Sequence, residues 1–231
     1  MKNSNSFRRG ALGLAFAGLA ASTFVAGGSS AYHDPDKKPG KDIQEDRALD
    51  TFTKIRVKGA IELHLVAGKD QKVTIETAEN RMADVETFVR GDTLVIDMDM
   101  DGHDNYWHNV DVDVIISMQM LEGIEVMGAV EADVRDVDSD KLEIDIKGAA
   151  DLDIEGRCGS LDLDVKGAGD ISARDLKCEN VSVDVKGAGS ADIFATNKVD
   201  ADVAGVASID IYGKPKNVRQ HAGFMASINV H

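Results

Sequence analysis

Apolar and polar residues alternate along most of this chain, and small glycine-centred corners punctuate the alternation. In residues 141–156, Leu142, Ile144 and Ile146 alternate with Glu143, Asp145 and Lys147; after Gly148-Ala149-Ala150, Leu152 and Ile154 alternate with Asp151, Asp153 and Glu155. Period two is the pattern of a half-buried strand. The unit is strand, small corner, strand, looser connection, and it recurs. "KGAADLDI", "KGAGDISA" and "KGAGSADI" are close copies, with weaker ones at "MGAVEADV", "AGVASIDI" and "AGFMASIN". Their markers are Gly128, Gly148, Gly167, Gly187, Gly205 and Gly223, a step of 18–20 residues. A fixed period of this size predicts stacked supersecondary units. One unit cannot bury its apolar face, whereas stacked units share a continuous aliphatic core.

The expected fold is all-β: a single-stranded parallel β-helix with 18–20-residue coils, right-handed as parallel crossovers are. An antiparallel sandwich or propeller is the rival, but near-constant corners favour the helix. Residues 51–120 are strand-rich and less regular. They carry an early corner at Gly59 and a hairpin turn at Arg90-Gly91-Asp92-Thr93. They are expected to mix antiparallel hairpins with the start of the helix and to cap it, with the regular repeats at 121–231.

The first 31 residues read as a signal peptide. Lys2, Arg8 and Arg9 precede an apolar run from Ala11 to Gly27, and Ser29-Ser30-Ala31 offers a small-residue cleavage site. An uncleaved anchor is the alternative. No cysteine follows the run, so lipid attachment there is excluded. Residues 32–50 are polar, contain two prolines and lack apolar period, and read as a flexible linker. The domain is then 51–231, and the protein is expected in the periplasm or at the cell surface, without stable membrane insertion after cleavage.

Export permits a disulfide. Cys158 and Cys178 occupy equivalent positions one unit apart, and equivalent residues in stacked parallel coils lie about 4.8 Å apart, within disulfide reach. Two stacked free thiols are the alternative.

The formal charge of −15 becomes −18 without Lys2, Arg8 and Arg9. Such a surface repels nucleic acid and anionic membrane and suits cations or basic partners. Asp145, Asp164, Asp184 and Asp202 stand three residues before a marker glycine, and Lys147, Lys166 and Lys186 directly before it. A second acidic column, Glu131, Asp151 and Asp170, follows the corner and gives way to Ser190 and Ser208. These columns are either a stripe for calcium or a basic partner, or a solvated face that blocks sheet association.

The segment outside the pattern is "DMDMDGHDNYWHNVD", residues 97–111. Asp97-x-Asp99-x-Asp101-Gly102 begins like a calcium loop, but His108 stands at position twelve and a strand precedes it, so an EF-hand is rejected. A different cation site could use Asp97, Asp99, Asp101 and Asp104, with calcium the only cofactor in view. His103 and His108 could hold a transition metal. Tyr106 and Trp107 could contact a glycan or protein, or cover a coil end. His64 occupies an outward strand position. Neither a nucleophile elbow nor a phosphate loop occurs.

The opening "F.KI.V.GAIELHLVAG…VTIE", the "GAGD" and "GAGS" corners and the closing "ASINV" resemble the auto-transporter adhesin, head GIN domain family over about residues 51–231. Ala226-Ser227 stand where the family name implies glycine. The resemblance implies a bacterial, exported, β-helical protein with an adhesive role, and brings no catalytic residue. The expectation is a non-enzymatic envelope adhesion or interaction module with a protein or glycan partner. The alternative is a cation-dependent glycan-binding or polysaccharide-processing protein using the 97–111 loop. "ASINVH" forms a strand with no obvious cap, so self-association through that coil edge is also expected.

Overall fold

The computed structural model describes residues 40–98 and 112–231. They are all-β, with parallel and antiparallel pairing and a single 3-10 turn at Met82–Asp84. The strands are β1 (Asp42–Arg47), β2 (Lys54–Val66), β3 (Lys72–Ala78), β4 (Val85–Arg90), β5 (Thr93–Met98), β6 (Asp113–Ser117), β7 (Gly123–Tyr212), β8 (Asn217–Ala222) and β9 (Ser227–Val230).

β7 is a 90-residue extended path that returns over itself. A side chain at Gly148 would meet the Gly128 backbone, one at Gly167 the Gly148 backbone, one at Gly187 the Gly167 backbone and one at Gly205 the Gly187 backbone. The corners therefore lie directly on one another. The step is the repeat period of the sequence.

The stack does not follow chain order at its start. β2 runs parallel to the first coil of β7, with Gly59 opposite Gly128. On its other edge β2 pairs in parallel with β5 through Lys54–Lys58 and with β6 through Glu62–Val66. Residues 54–66 thus lie between segments that follow them in the chain. Antiparallel pairs β1–β3, β3–β6 and β4–β5 occupy this end. Arg90 pairs with Thr93 across the Gly91 turn, as the sequence predicts.

The core consists of columns. Two residues before each corner glycine stand Val57, Val126, Ile146, Val165, Val185 and Val203, all at most 5% exposed. Four residues after it stand Leu63, Ala132, Leu152, Ile171, Ala191 and Ile209. Branched aliphatics fit a pleated, buried surface, and the interspersed alanines keep a coil of this length filled without crowding.

Two expectations need correction. Residues 42–47 are not linker: β1 pairs with β3 over all six positions. Its side chains are mostly exposed, with only Ile43 and Arg47 partly buried, so no apolar alternation reveals it. Its order comes from ladder hydrogen bonds and from side-chain bonds, with Thr74 Oγ1 donating to Asp46 at 2.7 Å and Gln44 Nε2 to Glu76 at 2.6 Å. Gly223 is not stacked on Gly205. β8 pairs with β7 at a spacing of 19, Val203 opposite Ala222, which places Gly223 beside Ala204; a Cβ there would meet nothing closer than 3.4 Å.

Candidate functional site

The corner stack builds the main surface feature. The alanines that follow the first four stacked glycines, Ala60, Ala129, Ala149 and Ala168, line a trough of about 490 Å³. Three residues past each glycine, Glu62, Glu131, Asp151 and Asp170 line its wall. The small residues are there because the backbones meet at the corner, and the carboxylates are there because period two returns them to the outer face. Asp170 accepts from the Ser190 backbone N–H at 3.1 Å and from its hydroxyl, so the column ends in a hydrogen-bonded cap where serine replaces the acid.

The residues before the corner form a neutralised ladder. Lys147 Nζ donates to Asp145 and Lys166 Nζ to Asp164, both at 2.6 Å, and Lys186 pairs with Asp184. Each pair lies within one coil, two residues apart on the same face. The other oxygen of Asp145, Asp164 and Asp184 is shielded between coils and accepts no hydrogen bond. Lys147 also reaches Glu125 at 3.2 Å, and Arg56 binds Glu125 from the adjacent strand. Burial raises the Glu125 pKa, but its bonds to Arg56 and Lys147 lower it more, leaving this carboxyl below its ordinary range.

The two cysteines are joined, Cys158 to Cys178, with Cα atoms 4.5 Å apart across neighbouring coils. Both are buried, and neither is a free nucleophile. Of residues 97–111, Asp97 and Met98 are described: both lie on β5, Met98 is buried, and Asp97 binds Lys58 across to β2 at 2.8 Å. Asp99, Asp101, His103, Asp104, Tyr106, Trp107 and His108 lie outside the described residues, as does the signal segment 1–31. Asp202 is exposed on the same ladder.

Among the described residues, one group has the composition and convergence of a metal site: Glu62, His64 and Asp113, whose ligand atoms all lie within 4.8 Å of one another. Alternation along β2 puts His64 on an outward face, and nothing in its local pattern names a third ligand. The Glu62-x-His64 spacing on a strand was the available signal. Asp113 comes from β6, which only the register β2–β6 places beside them. No helix among the described residues is long and apolar enough to cross a membrane.

The chain belongs to the family described as "Putative auto-transporter adhesin, head GIN domain", whose model matches residues 51–215. Similar folds include a "putative adhesin" from Bacteroides fragilis, 24% identical, with a TM-score of 0.67 over 84% of this chain and 99% of that one. A "putative lipid binding protein" from Parabacteroides distasonis and a "putative adhesin" from Parabacteroides merdae are each 16% identical, with a TM-score of 0.48 over 83% of this chain and 97% of theirs. No curated protein matches the sequence.

Proposed function

We propose that this protein is an exported, non-enzymatic adhesion or interaction module of the cell envelope. In this reading residues 1–31 are removed on export, and the stacked coils form a right-handed parallel β-helix that presents a rigid acidic surface. The observation that carries it is the corner trough. Its alanine floor gives a partner close access to the backbone, while Glu131, Asp151 and Asp170 supply three aligned negative charges held at strand spacing. A surface of this kind binds with little ordering cost, because the coils fix its geometry before contact. The fitting partner is a basic protein segment or an amine-bearing glycan. The adhesin names of the family and its structural neighbours support the same reading. A second copy of the chain is a further partner in this proposal. β8 and β9 each pair with β7 along one edge, and between them Phe224 is fully exposed and Met225 is 65% exposed.

The test is binding of the labelled protein to envelope fractions and to a glycan array, comparing wild type with the triple variant Glu131→Lys, Asp151→Lys, Asp170→Lys. Loss of binding with an unchanged β circular-dichroism spectrum supports the trough as the contact surface. Undiminished binding by the triple variant removes it.

A further inference from the structure

β6, β2 and β7 lie side by side, and their parallel registers set Asp113 opposite Glu62 and Glu62 opposite Glu131. Three carboxylates therefore stand abreast on adjacent strands, an arrangement that repels at about 4.8 Å. On the lysine ladder each such carboxylate has an ammonium beside it. Here the ion-pair partner of Glu62 is His64, with Nε2 3.1 Å from Glu62 Oε1, a group that carries charge only when protonated. Asp133, opposite His64, is already held by Arg135 through Nε at 2.8 Å.

We propose that Glu62, His64 and Asp113 bind a first-row divalent cation of the zinc class. One imidazole and two carboxylates are a donor set for zinc, cobalt or nickel. Calcium takes oxygen ligands only, and an imidazole among three donors disfavours it. The dimensions fit. Two ligands on a tetrahedral zinc, with bonds of about 2.0–2.1 Å, stand about 3.3 Å apart; His64 and Glu62 already stand at 3.1 Å. Asp113 must close from at most 4.8 Å, a side-chain adjustment for a group that is not fully buried. His64 then presents its Nε2 lone pair to the ion, with the proton on Nδ1. The fourth position faces outward beside the trough, which Glu62 and Glu131 also line, so it is open to water or to an outside ligand. The site stands whether or not the trough is an adhesion surface.

The experiment is a calorimetric titration of the purified protein, free of any affinity tag, with zinc, paralleled by the visible absorption of bound cobalt. The variants are His64→Gln, Glu62→Gln and Asp113→Asn, with Asp151→Asn as a control in the trough. His103→Gln with His108→Gln is a control in the separate loop. The expected result is one equivalent of zinc in wild type and in both controls. Each ligand variant should lose more than the roughly 10–100-fold in affinity that removal of an outer-shell partner costs. His64→Gln should also abolish the ligand-field bands of cobalt. Surface substitutions of this kind leave the fold intact, which circular dichroism verifies. Absence of zinc binding by folded wild type overturns the proposal. So does undiminished binding by His64→Gln, or loss of binding in the loop control alone.

Discussion

Replacing Gly167 with alanine probes the corner stack directly. The built Cβ would overlap the Gly148 carbonyl oxygen and lie 2.9 Å from its carbonyl carbon and 3.1 Å from its nitrogen. Carbon atoms in good contact stand about 3.5–4.0 Å apart, so the coils must separate locally by at least about 0.6 Å. The obstructing atoms are backbone, and no rotamer change relieves them. Overpacking a close-packed interior costs about 1–3 kcal/mol where side chains can adjust; here the upper end, about 3 kcal/mol, is the expected minimum. For a protein of this size about 1 kcal/mol lowers Tm by about 2–4 °C, so Gly167→Ala should lose roughly 6–12 °C. Gly223→Ala is the matched control, because its Cβ meets nothing closer than 3.4 Å. Surface changes fall within about 0.5 kcal/mol, so its Tm should stay within about 2 °C of wild type. Thermal denaturation by circular dichroism reads both. If Gly167→Ala melts with wild type, the stacked-backbone account of the corner is wrong.

Serine at both Cys158 and Cys178 should cost about 3 kcal/mol in chemical denaturation, the chain-entropy contribution of a loop of about 20 residues; an unchanged midpoint would leave the staple without energetic consequence. The Glu125 carboxyl titrates below the ordinary glutamate value because its bonds to Arg56 and Lys147 outweigh its burial. The unfolded chain therefore takes up this proton first as pH falls. The stability that Glu125 contributes is complete above about pH 4.5 and is lost as the pH drops through its lower native value. Glu125→Gln should flatten that part of the acid limb of an unfolding-versus-pH curve, and an identical limb would contradict the assignment. Phe224→Ser should shift sedimentation mass from dimer to monomer if the β8–β9 rung pairs with a second copy; a monomeric wild type at high concentration rejects that contact.

The regular coils were legible in the sequence because side-chain alternation and steric need coincide there. Val165 and Val185 are buried for the same reason that Lys166 and Lys186 are not, and Gly167 and Gly187 follow because the backbones above them leave no room. The Cys158–Cys178 placement came from the same frame. β1 was not legible, because a polar edge strand satisfies itself through backbone bonds that leave no apolar trace. Gly223 misled because the composition of a corner was repeated while the register had moved by one. Asp113 was hidden for another reason: its neighbours are set by a pairing between segments that are distant in the chain, and no local spacing encodes that.

Within β7 every coil sits on the coil before it, so stacked positions repeat the same residue type and the surface repeats the same contact. Charges there settle into columns, with Asp145, Asp164 and Asp184 each beside its own lysine. β2 breaks this rule by lying between β6 and β7, segments that come later in the chain. The seam brings together residues from three separate stretches, and a histidine enters beside the carboxylates of Glu62 and Asp113. A repeat can multiply a weak interaction along its length. A mixed donor set of the kind a transition metal requires needs a junction between unlike segments, and in the described chain Glu62, His64 and Asp113 stand at that junction. Exchanging His64 for the lysine that serves the neighbouring ladder should therefore act in two directions at once. His64→Lys should raise stability by neutralising Glu62, by up to about 1 kcal/mol for an exposed pair, while abolishing zinc binding. A variant that lost stability in the absence of metal would show that His64 serves the fold rather than an ion.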